Sequence, residues 1–330
     1  MKQLNPEFSK VIIETQTLLL SNPEWQPRYK KYAEVILANT ALIDDVRKTF
    51  REWSPLYLYI NITNAKKASG SFNFELRFLG QTVAELKAGK GMTLNTAKFD
   101  KNNGRDFACK IALKSAEWRS PTASEFRKHF KNFSGKRSAH ENKSNEEHRI
   151  ESVFLSEFSM IKSKKLRNIK PVKISRVRFP MPTPISASNH KQIKCSGVKG
   201  GGIDILTRIG TGGVNTNLCI MELKDENTTK EPPKDAIKQA LAYATFISEL
   251  LRSECGEDWW KIFGFGNKVP EKLVLFACCV MPSNTNDDTT FGDLELDLDG
   301  DIIKLHYLYF TEEENRITNH ITSLKLGKTP

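Results

Sequence analysis

Two consecutive apolar runs constrain this chain more than any other feature. Gly202 to Ile209 and Leu218 to Lys224 each read as a strand, and Gly210-Thr-Gly-Gly213 begins the turn between them. Both runs carry charges that an apolar strand does not ordinarily accept: Asp204 in GGGIDIL, and Glu222 and Lys224 in CIMELK. Glu222 and Lys224 are two residues apart, so they share one sheet face while Met221 and Leu223 point to the other. Burying such a pair costs free energy unless something compensates for it, and a metal ion does so naturally. A long helix, about Asp235 to Arg252, follows Pro232-Pro233.

The rest of the second half extends this pattern. Glu146 to Ile161 reads as a helix, with Ile150, Val153, Phe154, Phe158 and Ile161 on one stripe. Val172 to Ser186 is extended and broken by prolines. Lys272 to Met281 is an apolar strand of the buried kind. Asp293 to Phe310 is a hairpin turning at Asp299-Gly300, and a short helix is expected to close the chain. An EF-hand loop does not fit Asp297 to Asp301, because Glu295 and His306 would fall at its end positions.

The first half reads differently. Two helices are expected between residue 6 and about residue 52, the first ending at Asn22-Pro23 and the second running from about Tyr29 to Trp53. Leu56, Leu58 and Ile60 alternate with polar or aromatic residues, as in a half-buried strand. Phe72 to Leu86 forms a hairpin turning near Gly80-Gln81, and Asp100 to Arg105 is a loop. The polar stretch around 136–145 serves as a linker. The organisation is therefore a basic α+β domain over 1–135, the linker, and an α/β domain over 146–330.

Charge supports a polyanionic partner. The net charge is +11. It divides unevenly, with about +19 over residues 1–200 and about −8 over the remainder. Cationic side chains displace counterions condensed on nucleic acid, so a polyphosphate such as nucleic acid is the partner that this charge suits. Arg127 and Lys128, and Lys162, Lys164 and Lys165 after the first helix of the second domain, are the residues expected to track a phosphate backbone. Lys199 enters a glycine-rich loop, Gly200 to Gly202, that a phosphate can approach closely. No stretch of about 18 apolar residues is present, so no membrane span is expected. The six scattered cysteines form no CxxC pair, which suits a reducing, cytoplasmic compartment. Trp259-Trp260 reads as packing.

The pattern Ile203-Asp204 followed by Glu222-Leu223-Lys224 on the next strand resembles the PD-(D/E)xK nuclease superfamily, over roughly residues 146–310. Gln239-Ala-Leu-Ala-Tyr243 resembles the QxxxY helix motif of one of its branches, and the i, i+4 spacing puts both side chains on one helical face. Ile203 stands where the family writes proline. The resemblance implies a restriction-endonuclease-like α-β-β-β-α-β core with a mixed sheet. It also implies a metal-dependent deoxyribonuclease, a restriction-type or defence endonuclease by preference. An RNase, a DNA-processing exonuclease and a non-catalytic DNA-binding protein remain alternatives. Asp204 and Glu222 would hold Mg²⁺, with Mn²⁺ able to substitute, and the backbone carbonyl of Leu223 could add a third oxygen. Lys224 would assist the attacking water, while Gln239 and Tyr243 position the site. The family adds a helix glutamate, for which Glu151 is preferred and Glu157 is the alternative. Cutting both strands of a two-fold symmetric site suits a homodimer.

Overall fold

In a computed structural model of the chain, residues 6–50, 55–63, 70–97, 107–133, 143–159, 166, 168–187, 192–197, 201–210, 216–225, 231–283 and 288–326 are described. Helices α1 (Pro6–Ser21), α2 (Trp25–Ala38) and α3 (Thr40–Phe50) open the chain. Strands β1 (Leu56–Ile60), β2 (Phe72–Phe78), β3 (Gln81–Ala88), β4 (Met92–Thr96) and β5 (Ala116–Glu117) follow, then helices α4 (Pro121–Lys131) and α5 (Lys143–Glu157). Short strands come next: β6 (Ile169–Pro171), β7 (Lys173–Ile174), β8 (Val177–Arg178), β9 (Met181–Pro182), β10 (Ile185–Ser186), β11 (Lys194–Cys195) and β12 (Gly202–Ile203). The chain then runs through β13 (Ile205–Gly210), β14 (Thr216–Leu223), α6 (Pro233–Arg252), α7 (Gly256–Ile262), β15 (Val274–Pro282), β16 (Glu295–Leu298), β17 (Asp301–Glu313) and β18 (Arg316–Thr322).

The fold is mixed α/β, and it divides into two compact units that are discontinuous in sequence. The larger unit comprises residues 1–30, 153–172 and 180–330, and the smaller comprises 31–152 and 173–179. A single linker at 136–145 does not anticipate this division. α1 belongs with the larger unit because Phe8, Val11, Ile12, Thr15 and Leu19 form a buried stripe against α6. Gln16 ties the two helices further, donating to Glu249 at 2.9 Å. The second helix expected from Tyr29 to Trp53 is instead the pair α2 and α3, broken at Asn39. The buried side chain of Asn39 donates to the Val35 carbonyl, and its oxygen accepts from the Gly70 N–H.

In the smaller unit a seven-stranded sheet has the order β5-β4-β3-β2-β1-β8-β7, antiparallel except where β8 runs parallel to β1. The β2–β3 hairpin turns through Leu79 and Gly80, both with positive φ (47° and 78°). A side chain at Gly80 would also strike the His148 carbonyl, so glycine is required twice over at this position.

In the larger unit the sheet order is β16-β17-β15-β14-β13-β6, with β18 pairing farther along β17 on the same edge as β16, opposite β15. The β6–β13–β14 portion is antiparallel, while β14, β15 and β17 run parallel. That parallel core explains why β14 and β15 are apolar on both faces: α6 covers one side, and few positions of either strand meet water. The β16–β17 hairpin turns at Asp299 (φ 51°) and Gly300 (φ 94°), as alternation predicted. The chain closes with strand β18 rather than a short helix. Arg316 to Thr322 extend the β17 ladder, with Leu308 opposite Thr322 and Tyr309 opposite Ile321. Among the described residues no helix is long and apolar enough to cross a membrane.

Candidate active site

Asp204 sits at a point where the chain changes partners. Gly202 and Ile203 pair antiparallel with β9, whereas Ile205 onward pairs with β14, starting opposite Met221. Continued without interruption, that register would place Ile203 opposite Leu223. The strand diverges instead, and the Leu223 N–H donates to Asp204 Oδ2 at 2.8 Å. The carboxylate thus takes the place of a ladder carbonyl, which satisfies a backbone donor and fixes the acid against the end of β14.

Glu222 and Lys224 follow on β14 and just past its end. The Lys224 N–H continues the parallel ladder to the Val280 carbonyl at 2.9 Å, so both side chains have a fixed backbone beneath them. Both are buried, and Lys224 Nζ lies 2.8 Å from Glu222 Oε1. A second carboxylate, Glu231 Oε2, lies 3.4 Å from the same ammonium. Glu231 escaped the sequence reading. It follows a run of turn formers with no periodicity, and its contact is with a residue seven positions back across a loop.

α6 carries Gln239 and Tyr243 four residues apart, on one helical face. The Tyr243 hydroxyl accepts from the Ala187 N–H at 3.2 Å. Burial pushes its phenol well above the ordinary range, and the negative charges of Glu222 and then Asp204 act in the same direction. Tyr243 is therefore a neutral hydrogen-bonding group within electrostatic reach of Asp204, Glu222 and Lys224. Gln239 is fully buried, and neither of its amide atoms finds a partner among the described residues. An amide left so within a core is expensive unless a further group completes it. Cys279, opposite Glu222 in the β14–β15 register, has its thiol pushed up by burial and stays protonated.

The remaining sequence candidates have described surroundings of their own. Glu157 is buried and pairs with Arg316 of β18 at 2.6 Å, a structural use for its charge. Glu151 belongs to the smaller unit. There it lies 3.4 Å from His148 Nδ1, and its charge acts on Tyr59 and Arg77. Arg127 stacks its guanidinium over Trp118 at 4.2 Å and donates to that residue's carbonyl, so its head group is held against the smaller unit's own Trp118. Lys128 is exposed on the outer face of α4. Lys162, Lys164, Lys165 and Lys199 lie outside the described residues, as do the loop 100–105 and most of the turn after Gly210. Trp259 is fully buried, and Trp260 stacks on Phe265 at 3.7 Å, so both pack the fold.

Among the described residues no group of three or more His, Cys, Asp or Glu side chains gathers closely enough to hold a metal by itself. The arrangement offers two carboxylates on adjacent strands, an ammonium shared between Glu222 and Glu231, and a neutral phenol. No family model matches this chain, and neither a curated protein nor a solved structure matches it.

Proposed function

We propose that the chain is a magnesium-dependent deoxyribonuclease of the PD-(D/E)xK type, with its site on Asp204, Glu222 and Lys224. The observation that carries this reading is the anchoring of the Asp204 carboxylate on the Leu223 N–H, between Glu222 and Lys224. The acid of one strand and the acid–lysine pair of the next are thereby joined at one strand end. Two further features support it. With the short strands β7–β12 and helix α7 set aside, the sequence of elements α5, β6, β13, β14, α6, β15 is compatible with the α-β-β-β-α-β plan of the restriction-endonuclease-like core. Tyr243, on the helix after the acid–lysine strand, is electrostatically coupled to all three residues.

The donor set fits the metal. Magnesium takes oxygen ligands and is usually held by one or two carboxylates, with water and substrate phosphate filling the other positions. Asp204 and Glu222 would hold it, and no third protein carboxylate is needed. When bound, the ion would neutralise phosphate charge and lower the pKa of a water. Lys224 places a cation beside Glu222, suited to the charge that develops on the phosphate and the attacking oxygen. Tyr243 accepts from Ala187 and keeps its own proton to donate. The basic charge of about +10 over residues 1–150 supplies attraction for a duplex.

The test is incubation with circular plasmid, with magnesium and with chelator, beside Glu222→Ala. Metal-dependent nicking or linearisation that disappears in the variant is expected, and discrete bands would mark a restriction-type endonuclease. Cleavage confined to linear ends, or to RNA, would change the substrate class. Cleavage undiminished in Glu222→Ala would overturn the assignment.

A further inference from the structure

We propose that Glu231 is a positioning residue that shares the Lys224 ammonium with Glu222, so that Glu222 can turn its oxygens to a divalent cation without Lys224 losing its anionic support. This inference rests on the metal-dependent reading above. Lys224 Nζ lies 2.8 Å from Glu222 Oε1 and 3.4 Å from Glu231 Oε2. The three side chains are only 8%, 6% and 18% exposed, in the order Lys224, Glu222, Glu231, so solvent screening of these contacts is weak.

The conflict that Glu231 resolves is physical. An ammonium and a metal ion would compete for the oxygens of one carboxylate. A lysine left buried by the winner would carry an uncompensated charge. An ammonium is a compact charge that can hydrogen-bond one carboxylate, here Glu222, while attracting a second, Glu231, as an ion pair. Glu231 is well placed to be the constant partner. It directly precedes Pro232-Pro233, and the pyrrolidine rings fix their own φ and hold the preceding residue to extended backbone. Pro232 (φ −66°, ψ 159°) caps α6, so Glu231 is joined to the rigid start of the helix that carries Gln239 and Tyr243.

The experiment is calorimetric titration of the full chain with magnesium alone, in the absence of DNA. Four proteins are compared: wild type, Glu231→Gln, Lys224→Ala and the double variant. Glu231→Gln is expected to weaken magnesium binding roughly three- to tenfold while Lys224 is present, because the ammonium then leans harder on Glu222. In the Lys224→Ala background the same substitution is expected to change nothing. An equal loss in both backgrounds, or no loss in either, would overturn the proposal while leaving magnesium binding by Asp204 and Glu222 standing. A wild type that binds no magnesium would overturn the nuclease reading and this inference together. Glu231→Asp keeps the charge and is expected to bind magnesium more tightly than Glu231→Gln. If the two bind equally weakly, packing is at work and the positioning role fails. This comparison also serves if the double variant does not fold.

Discussion

The Asp204 carboxylate accepts the Leu223 N–H at 2.8 Å, which makes one side chain a ladder substitute as well as the acid of the proposed site. The two roles separate by substitution. Asp204→Asn keeps an acceptor oxygen and is expected to leave stability near wild type. Asp204→Ala orphans a buried N–H and is expected to cost about 1–3 kcal/mol. Both should lose metal-dependent cleavage, because each removes the charge. Urea denaturation beside a plasmid assay checks this. Cleavage by Asp204→Asn at the wild-type rate would remove Asp204 from the chemistry.

Gln239 leads to a prediction of opposite sign. Both of its amide atoms are buried without partners among the described residues, so the folded protein bears their desolvation cost. Gln239→Leu is expected to leave stability unchanged or to raise it by about 1 kcal/mol, while lowering cleavage. A thermal melt and a cleavage assay on the same preparation decide the point. A destabilised but active variant would mean that the glutamine serves the fold.

What could be read beforehand follows the range of the forces involved. β13 and β14 announce themselves as apolar runs bounded by turn residues, and α6 by the Pro232-Pro233 that opens it, and those signals are local. The break at Asp204 is not local, because it depends on Gly202 and Ile203 pairing with β9, some twenty residues upstream. The attachment of α1 to the larger unit rests on pairs such as Gln16 with Glu249, beyond any window of sequence. β18 stands where a short closing helix is expected: Ile317, Thr318, Ile321 and Thr322 are good strand formers, but the choice between helix and strand is decided by the β17 edge. Glu157, the alternative helix glutamate, has its partner Arg316 159 residues away.

Tyr243→Phe isolates one oxygen. Without it the Ala187 N–H loses its acceptor, at a cost of about 1–2 kcal/mol, and cleavage is expected to fall roughly tenfold or more. The pH dependence has a defined sign. The folded phenol titrates above its unfolded value, through burial first and the neighbouring carboxylates second. Its contribution is present below about pH 10 and is lost as pH rises beyond that, when only the unfolded chain ionises. Wild type should therefore lose more stability than Tyr243→Phe between pH 9 and 11. Parallel curves would show that the phenol is not held neutral.

His306 gives the acid side of the profile. It is buried between Phe276 and the C-terminal strand, with Nδ1 2.9 Å from Ser323 Oγ and Nε2 unpartnered among the described residues. Burial lowers its pKa from 6.5 to about 4, against the opposing pull of Asp293. Below pH 6.5 the unfolded chain takes up a proton that the folded chain refuses, so stability falls as pH drops toward 4 and changes little further from this group. The full loss is about 3 kcal/mol, from the size of the shift. Carboxylates also contribute in this range, so the informative quantity is the difference between wild type and His306→Gln, which cannot titrate there. Urea midpoints at pH 7.5, 5.5 and 4.5 should converge as pH falls, with wild type losing its advantage over the variant. A constant gap across that range would show that His306 protonates equally in both states, and that the β17–β18 edge is not the acid-labile element of the fold.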